Sequence, residues 1–163
     1  MKNSFNLLIV ILIWMFFVLG CSVPDGCHGI KCYEQGAVST LRTISGAQAT
    51  YAVTAGDGNY ATLEQLASMN LIDPGFKNIG FTKSQYVFNV SVFPKGAIDK
   101  KAKFYAMADP APDTQFGASI MRYLNGVSDP ETWRHFYLDK EGVIRYSIGR
   151  PATAADPPLN PEN

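Results

Sequence analysis

The clearest periodic pattern in the chain lies between Glu34 and about Ala52. Apolar side chains recur there every three or four residues, the spacing of one helix face: Val38, Leu41, Ile44, Ala47 and Tyr51. Gly46 costs such a helix roughly 1 kcal/mol relative to alanine, so packing of the apolar face has to stabilise it. The pattern predicts one long amphipathic helix that the glycine-rich segment 55–59 ends.

A second, shorter helix is predicted from a capping pattern. Thr62 and Gln65 have the spacing at which a hydroxyl and a side-chain amide satisfy the free backbone donors of a helix start. We expect this helix to run from Leu63 to about Met69. The segment 73–75, Asp-Pro-Gly, then turns the chain.

The second half of the chain has the two-residue period of strands. Apolar side chains alternate with mostly polar ones between Tyr86 and Phe93, as in a strand that is covered on one face. Segment 103–109 is a plausible second strand, and segments 135–139 and 143–148 read as a hairpin closed by Lys-Glu-Gly. The elements together predict an α+β fold, with one long helix packed on a small antiparallel sheet of three to four strands.

The last thirteen residues contain four prolines, a composition typical of an extended segment. We therefore expect one α+β domain over residues 34–150 and a proline-rich, extended tail over residues 151–163. There is no internal repeat.

An apolar run, Leu7 to Leu19, follows a short positive head that contains Lys2. It is long for a core strand and short for a membrane span of about 20 residues, which is typical of the core of an export signal. The following Val-Leu-Gly-Cys, residues 18–21, resembles the lipobox of bacterial lipoproteins. This resemblance implies that residues 1–20 are a signal peptide and that Cys21 receives a diacylglycerol on its sulfur.

The alternative is an uncleaved membrane anchor with an incidental cysteine, and either arrangement tethers the same domain to a membrane. Two or more acyl chains are needed for stable attachment, and a lipoprotein supplies at least two. Ser22 follows Cys21, and in diderm bacteria this resemblance favours the outer membrane over the inner membrane. The expected location is therefore the cell envelope.

Residues 21–33 are expected to form a short linker that contains two further cysteines. Four residues separate Cys27 from Cys32, and an exported protein meets an oxidising compartment, so we expect a local disulfide. The alternative is a metal site that uses Cys27, His28 and Cys32. Structural zinc needs four ligands, and the only other histidine is His135. The Cys-x-x-Cys-His motif of covalent haem attachment is absent.

Several segments together resemble type IV pilins and the pseudopilins of type II secretion. Residues 37–51 resemble the carboxyl half of the long pilin helix, and residues 58–66 with 71–74 resemble the loop between helix and sheet. Residues 134–139, 142–146 and 152–159 resemble the closing strands and tail, so the resemblance extends over residues 34–159. It implies a pilin-like head whose partners are the membrane, through Cys21, and pseudopilins or other secretion or pilus assembly proteins.

One departure from the pilin pattern changes the expected function. Pilins keep an apolar amino-terminal half-helix that forms the core of the filament, whereas here Cys21 and the linker stand in its place. We therefore expect a lipid-tethered head and no assembly into a conventional pilus.

Chemistry-bearing motifs are sparse. The catalytic and nucleotide-binding motifs that we sought are absent, and we expect a non-enzymatic protein without a cofactor. The balance of fourteen basic and fourteen acidic side chains does not suggest a nucleic-acid partner. Four acidic residues in proline-containing loops are candidate calcium ligands, although such residues more often cap turns: Asp109, Asp113, Asp129 and Glu131.

The alternative function is a lipoprotein that binds a glycan or a peptide. Its binding loops would be those around residues 94–96 and 109–116. An aromatic group could supply a binding surface, although core and cross-strand packing explains such residues more often: Trp133, Phe136, Tyr137 and Tyr146.

Overall fold

The structure is a computed structural model that describes residues 30–96, 101–112 and 133–160. Within these ranges, two α-helices and a short 3₁₀ helix precede the sheet: α1 (Ile30–Thr54), α2 (Leu63–Ser68) and the 3₁₀ helix Pro74–Lys77. Five strands follow: β1 (Thr82–Lys83), β2 (Tyr86–Phe93), β3 (Lys103–Pro110), β4 (Arg134–Asp139) and β5 (Ile144–Ile148). The α+β class and the single long helix are as predicted.

The sheet is an antiparallel meander in which every strand pairs with its neighbours along the chain, in the order β1-β2-β3-β4-β5. The expectation of three to four strands was wrong, because β1 adds a fifth. Only two residues long, β1 pairs with the start of β2, Thr82 opposite Val87. The turn between them, Ser84 and Gln85, has positive φ at both residues, as a two-residue hairpin turn requires.

The predicted apolar face of α1 is confirmed as the face that packs on the sheet. Val38, Leu41, Ile44 and Ala47 are buried, and Tyr51 is half-buried against the same core. The sheet contributes its inner face, where every second residue is buried as the strand period requires. These inward-facing residues include Phe88, Phe104, Ala106, Ala108, Phe136 and Leu138.

Both ends of α1 differ slightly from the prediction. The helix already includes Ile30, so the last residues of the expected linker, up to Tyr33, are helical. At its other end α1 reaches Thr54, and Gly56 donates a backbone hydrogen bond of 2.8 Å to the carbonyl of Tyr51. Among the described residues, no helix is long and apolar enough to cross a bilayer.

The capping box of α2 is confirmed. The Gln65 N–H donates to Thr62 Oγ1 over 3.3 Å, and the Thr62 N–H donates to Gln65 Oε1 over 2.9 Å. Two backbone donors at the start of the helix are thereby satisfied.

A buried glutamine joins α1 to the segment before α2. The side chain of Gln48 is fully buried and forms two hydrogen bonds with Ala61. Gln48 Nε2 donates to the Ala61 carbonyl over 2.6 Å, and Gln48 Oε1 accepts from the Ala61 N–H over 2.8 Å. Because Ala61 is itself fully buried, this pairing satisfies two backbone groups that water does not reach.

The tail packs on the outer edge of β5. The Leu159 N–H donates to the Ile144 carbonyl over 2.7 Å, and the Tyr146 N–H donates to the Pro157 carbonyl over 3.2 Å. Ala152 is buried, and Leu159 packs against the core. The tail contains a turn, in which the Asp156 N–H donates to the Thr153 carbonyl over 3.2 Å, and up to residue 160 it packs on the domain.

One buried carboxylate holds the tail in place. Asp156 accepts hydrogen bonds from the Thr153 N–H and Thr153 Oγ1 over 2.7 and 2.8 Å. Its other contact is an ion pair with both terminal nitrogens of the Arg150 guanidinium. These contacts, led by the hydrogen bond from Arg150, hold the pKa of Asp156 well below its ordinary value of 3.8.

This depressed pKa predicts an acid-dependent stability. A carboxyl group whose pKa is lowered by folding stabilises the fold above its unfolded-state pKa, and this contribution is lost as the pH falls through the folded-state value. D156N lacks this carboxyl group, so we expect its free energy of unfolding to fall less than that of the parent protein as the pH drops below about 4. Thermal melts from neutral to acid pH measure it, with D57N, at an exposed aspartate, as control. Equal acid sensitivity in D156N and the parent protein would contradict the assignment.

Candidate functional site

The first turns of α1 are fixed to the start of β4 by stacked rings. We call this region the junction; it consists of Tyr33, Glu34, Tyr86, Trp133 and Arg134. The Tyr33 and Trp133 rings stack at 5.7 Å between centroids with an angle of 15° between their planes. The Tyr86 ring lies 5.8 Å from Trp133 on another side. Trp133 is fully buried, so it is the centre of the junction.

Polar contacts complete the junction. Glu34 Oε1 accepts from the Arg134 N–H over 3.1 Å, and Tyr86 donates its hydroxyl hydrogen to the Arg134 carbonyl over 2.9 Å. Burial, together with the nearby charge of Glu34, raises the pKa of the Tyr86 hydroxyl, which therefore stays protonated as a donor. The Arg134 guanidinium lies 4.8 Å from the ring centroid of Tyr146, within cation–π range.

The predicted linker cysteines adjoin the junction in sequence. Cys32 lies on the first turn of α1 and is disulfide-bonded. Its predicted partner, Cys27, lies outside the described residues, and so does the predicted lipidation site, Cys21. The pairing of Cys27 with Cys32 therefore stays a prediction.

The four aromatic residues considered for ligand binding do not form one surface. Trp133 and Phe136 are fully buried in the core, whereas Tyr137 lies on the outer face of the sheet, away from α1. There its ring stacks at 5.8 Å on Tyr105, whose ring lies 5.8 Å from that of Phe93. Since Tyr105 and Tyr137 stack on each other, their facing surfaces are not open to a sugar ring. Core and cross-strand packing therefore account for this group.

The same outer face carries a row of residues with the composition of a catalytic triad. Asp109 on β3 contacts His135 on β4, with Asp109 Oδ1 2.7 Å from His135 Nδ1, and Ser147 on β5 is the cross-strand partner of His135. The serine hydroxyl, however, donates to the carbonyl of Arg150, and Ser147 is only 8% exposed. A nucleophile must reach its base and a substrate. This arrangement therefore lacks the exposed serine of a hydrolase.

The calcium candidates are only partly described. Asp109 uses its carboxylate on His135, so it has a partner other than a metal ion. Asp113, Asp129 and Glu131 lie outside the described residues. Within the described parts of the chain, no three potential metal ligands come together.

Sequence reasoning missed the contacts that position the junction. The helical spacing predicts only that Glu34 starts the helix, whereas its partner, Arg134, is one hundred residues away. No local pattern pairs two such residues. A weak signal was available in the helical spacing, which places Glu34 one turn before the buried Val38.

No protein-family model matches the chain, and no curated protein or solved structure is significantly similar to it.

Proposed function

We propose that this protein is a lipid-anchored protein of the cell envelope. Its pilin-like domain is a non-enzymatic structural or interaction module, associated with a type II secretion or type IV pilus system. The lipid is on Cys21, after removal of residues 1–20, and Ser22 directs the protein to the outer membrane in a diderm organism.

The observation that carries the proposal is the packing of one long helix on one face of an antiparallel meander. The order along the chain is long helix, short capped helix, sheet and packed tail, and pilin-like heads resemble this order. A pilin-like head presents its helix start towards the membrane. In this chain the equivalent end of the helix lies at the junction. The first residue of α1, Ile30, is nine positions after Cys21.

The junction also supports a tethering role. Tyr33 and Glu34 bind the first turns of α1 to Trp133 and Arg134, so the helix start is fixed to the sheet. A domain held at this end by a short linker has a defined point of attachment. The lipid in place of a filament-forming half-helix argues for a single tethered head, which contacts its partners from the membrane surface.

Lipidation of Cys21 is tested by metabolic labelling with an alkyne fatty acid, followed by membrane fractionation and intact mass measurement. We expect the parent protein to carry the label in the membrane fraction and C21A to lose both the label and the cleavage after residue 20. The matched control is C27A, which we expect to keep both. Retention of C21A in the membrane without cleavage would favour the uncleaved anchor.

The interaction role is tested by cross-linking the native lipidated protein in cells, purifying it in detergent and identifying its partners by mass spectrometry. We expect enrichment of pseudopilins or of pilus or secretion assembly proteins, which C21A does not show. Filaments composed of this protein alone would contradict the proposal.

A further inference from the structure

A second region of the domain, away from the junction, has the features of a ligand site. A pocket of about 300 Å³ lies near the carboxyl end of α1. Its walls come from the turn after α1, the end of β2, the segment before β3 and the turn between β4 and β5. We call it the lysine pocket, and its lining residues are Gly58, Tyr60, Lys95, Lys101, Ala102 and Lys140.

The charge of the lysine pocket is one-sided. Three lysines line it, and no acidic side chain of the described residues does. Asp57, Asp139 and Glu141 adjoin lining residues in sequence, but none of the three lines the pocket. The ion pairs of the described residues are formed by Lys83, Arg134, His135 and Arg150. Lys95, Lys101 and Lys140 thus have no acidic partner among the described residues, and their charges favour an anion.

Hydrogen bonds join two of the four walls of the pocket, the turn after α1 and the segment after β2. Asn59 Oδ1 accepts from the Lys95 N–H over 2.8 Å, and Asn59 Nδ2 donates to the Gly56 carbonyl over 3.0 Å. Gly58 has a φ of 80° and donates its N–H to the Ala52 carbonyl over 2.9 Å. A fixed backbone reduces the entropy that binding would otherwise cost.

A neutral donor accompanies the lysines. The ring of Tyr60 packs on Phe104 at 4.6 Å between centroids, which fixes its position in the wall. The Tyr60 hydroxyl has no hydrogen-bond partner among the described residues. It therefore adds one unused donor to the three ammonium groups.

We infer that the lysine pocket binds the phosphate group of a small phosphorylated ligand. Lysine ammonium groups bind phosphate as point charges, and three lysines match the charge of about −2 on a phosphate monoester at pH 7 better than the single charge of a carboxylate. Donors from separate chain segments suit an oxyanion that accepts hydrogen bonds from several directions. The volume is at the lower end of the range for small-molecule sites, about 300–1,000 Å³, so the ligand is small.

The phosphate group that binds in the pocket belongs to a soluble phosphate ester and not to a membrane phospholipid. The pocket follows the carboxyl end of α1, and the proposed lipid precedes the amino end of the same helix. A helix of 25 residues is about 37 Å long, so the pocket and the anchored end of α1 are far apart. A phospholipid headgroup offers the same chemistry, and the experiment separates the two sources.

The test uses the full-length protein in maltoside micelles, which contain no phosphate. Inorganic phosphate and glycerol phosphate are titrated, and amide shifts are recorded by nuclear magnetic resonance against sodium chloride of equal ionic strength. We expect saturable shifts at Gly58, Tyr60 and Lys95. K95Q and K140Q should each weaken binding about tenfold, because each removes a charged hydrogen-bond donor. K77Q, at an exposed lysine outside the pocket, should bind as the parent does.

The phosphate site would be overturned if sodium chloride caused amide shifts as large as those caused by phosphate. It would also be overturned if K77Q weakened phosphate binding as much as K95Q and K140Q do. Flotation with phosphatidylglycerol and phosphatidylcholine vesicles separates the sources. Suppose that vesicle binding depends on Lys95 and that neither inorganic phosphate nor glycerol phosphate binds saturably. The ligand would then be a lipid phosphate, and the assignment to a soluble ester would be overturned. Thermal melts of each variant verify that the substitutions leave the fold intact.

Discussion

Replacing Trp133 with alanine is expected to lower the free energy of unfolding by about 3–5 kcal/mol. The indole is fully buried and is in contact with rings on both sides, Tyr33 of α1 and Tyr86 of β2. Its removal leaves a cavity where helix and sheet meet, and the stacking on both rings is lost. The effect is large because Trp133 is the largest fully buried side chain of the described residues.

Chemical denaturation followed by circular dichroism measures this loss. W133F keeps an aromatic ring at the site and should be intermediate. F93A is the control, because Phe93 is a half-exposed aromatic residue on the outer face, and it should cost about 1 kcal/mol or less. Equal losses in W133A and F93A would show that Trp133 is not the centre of the junction.

Replacing Gln48 with methionine is expected to cost about 2–4 kcal/mol, because two buried backbone groups of Ala61 lose their only partner side chain. Methionine is similar in size and flexible, so the loss reports on hydrogen bonds more than on a cavity. The chain around Ala61 should also become more mobile, because Gln48 attaches it to α1.

The free energy of unfolding and the hydrogen exchange rate of the Ala61 amide measure this effect. Q35M is the matched control, since Gln35 is an exposed glutamine of the same helix and should change stability by less than about 0.5 kcal/mol. A Q48M protein with parental stability and an equally protected Ala61 amide would contradict the role of Gln48.

The parts of the fold that the sequence predicts are those encoded by local patterns. The apolar face of α1 is visible in the spacing from Val38 to Ala47, and the capping box of α2 needs only Thr62 and Gln65. The alternation from Tyr86 to Phe93 likewise predicts β2. In each case the residues that decide the structure lie within a few positions of one another.

The parts that escaped prediction depend on contacts between distant residues or on unusual turn chemistry. β1 has two residues, too few to show a period, and its turn uses Ser84 and Gln85 where asparagine and glycine are the usual signal. The partner of Gln48 is a backbone thirteen positions away, which no side-chain pattern identifies.

The candidate sites show the same division. Asp109 was recognised as a potential ligand, but its contact with His135 depends on the alignment of β3 with β4. The lysine pocket needs four segments to meet, and of its three lysines only Lys95 lies in a loop, residues 94–96, that the sequence marks as a candidate for binding. Lys101 and Lys140 lie outside that loop, and no sequence pattern connects them with Lys95.

The packed tail alters how the sheet ends. An unpaired edge strand invites pairing with other chains. The outer edge of β5 is partly covered by Pro157 to Leu159, through the hydrogen bonds of Ile144 and Tyr146. At the other end, β1 covers only the beginning of β2. If the contacts of Asp156 were lost, the tail would leave β5, and the edge of β5 would be exposed in addition to that of β2.

The junction also determines how the domain would respond to mechanical load. A pull on the chain ahead of α1 enters at Tyr33 and Glu34 and passes to the start of β4 through Trp133 and Arg134. β4 is an inner strand that is hydrogen-bonded to β3 on one side and to β5 on the other. Displacing it requires both sets of hydrogen bonds to break together, so a pull applied ahead of α1 is spread across the sheet and does not peel off an edge strand.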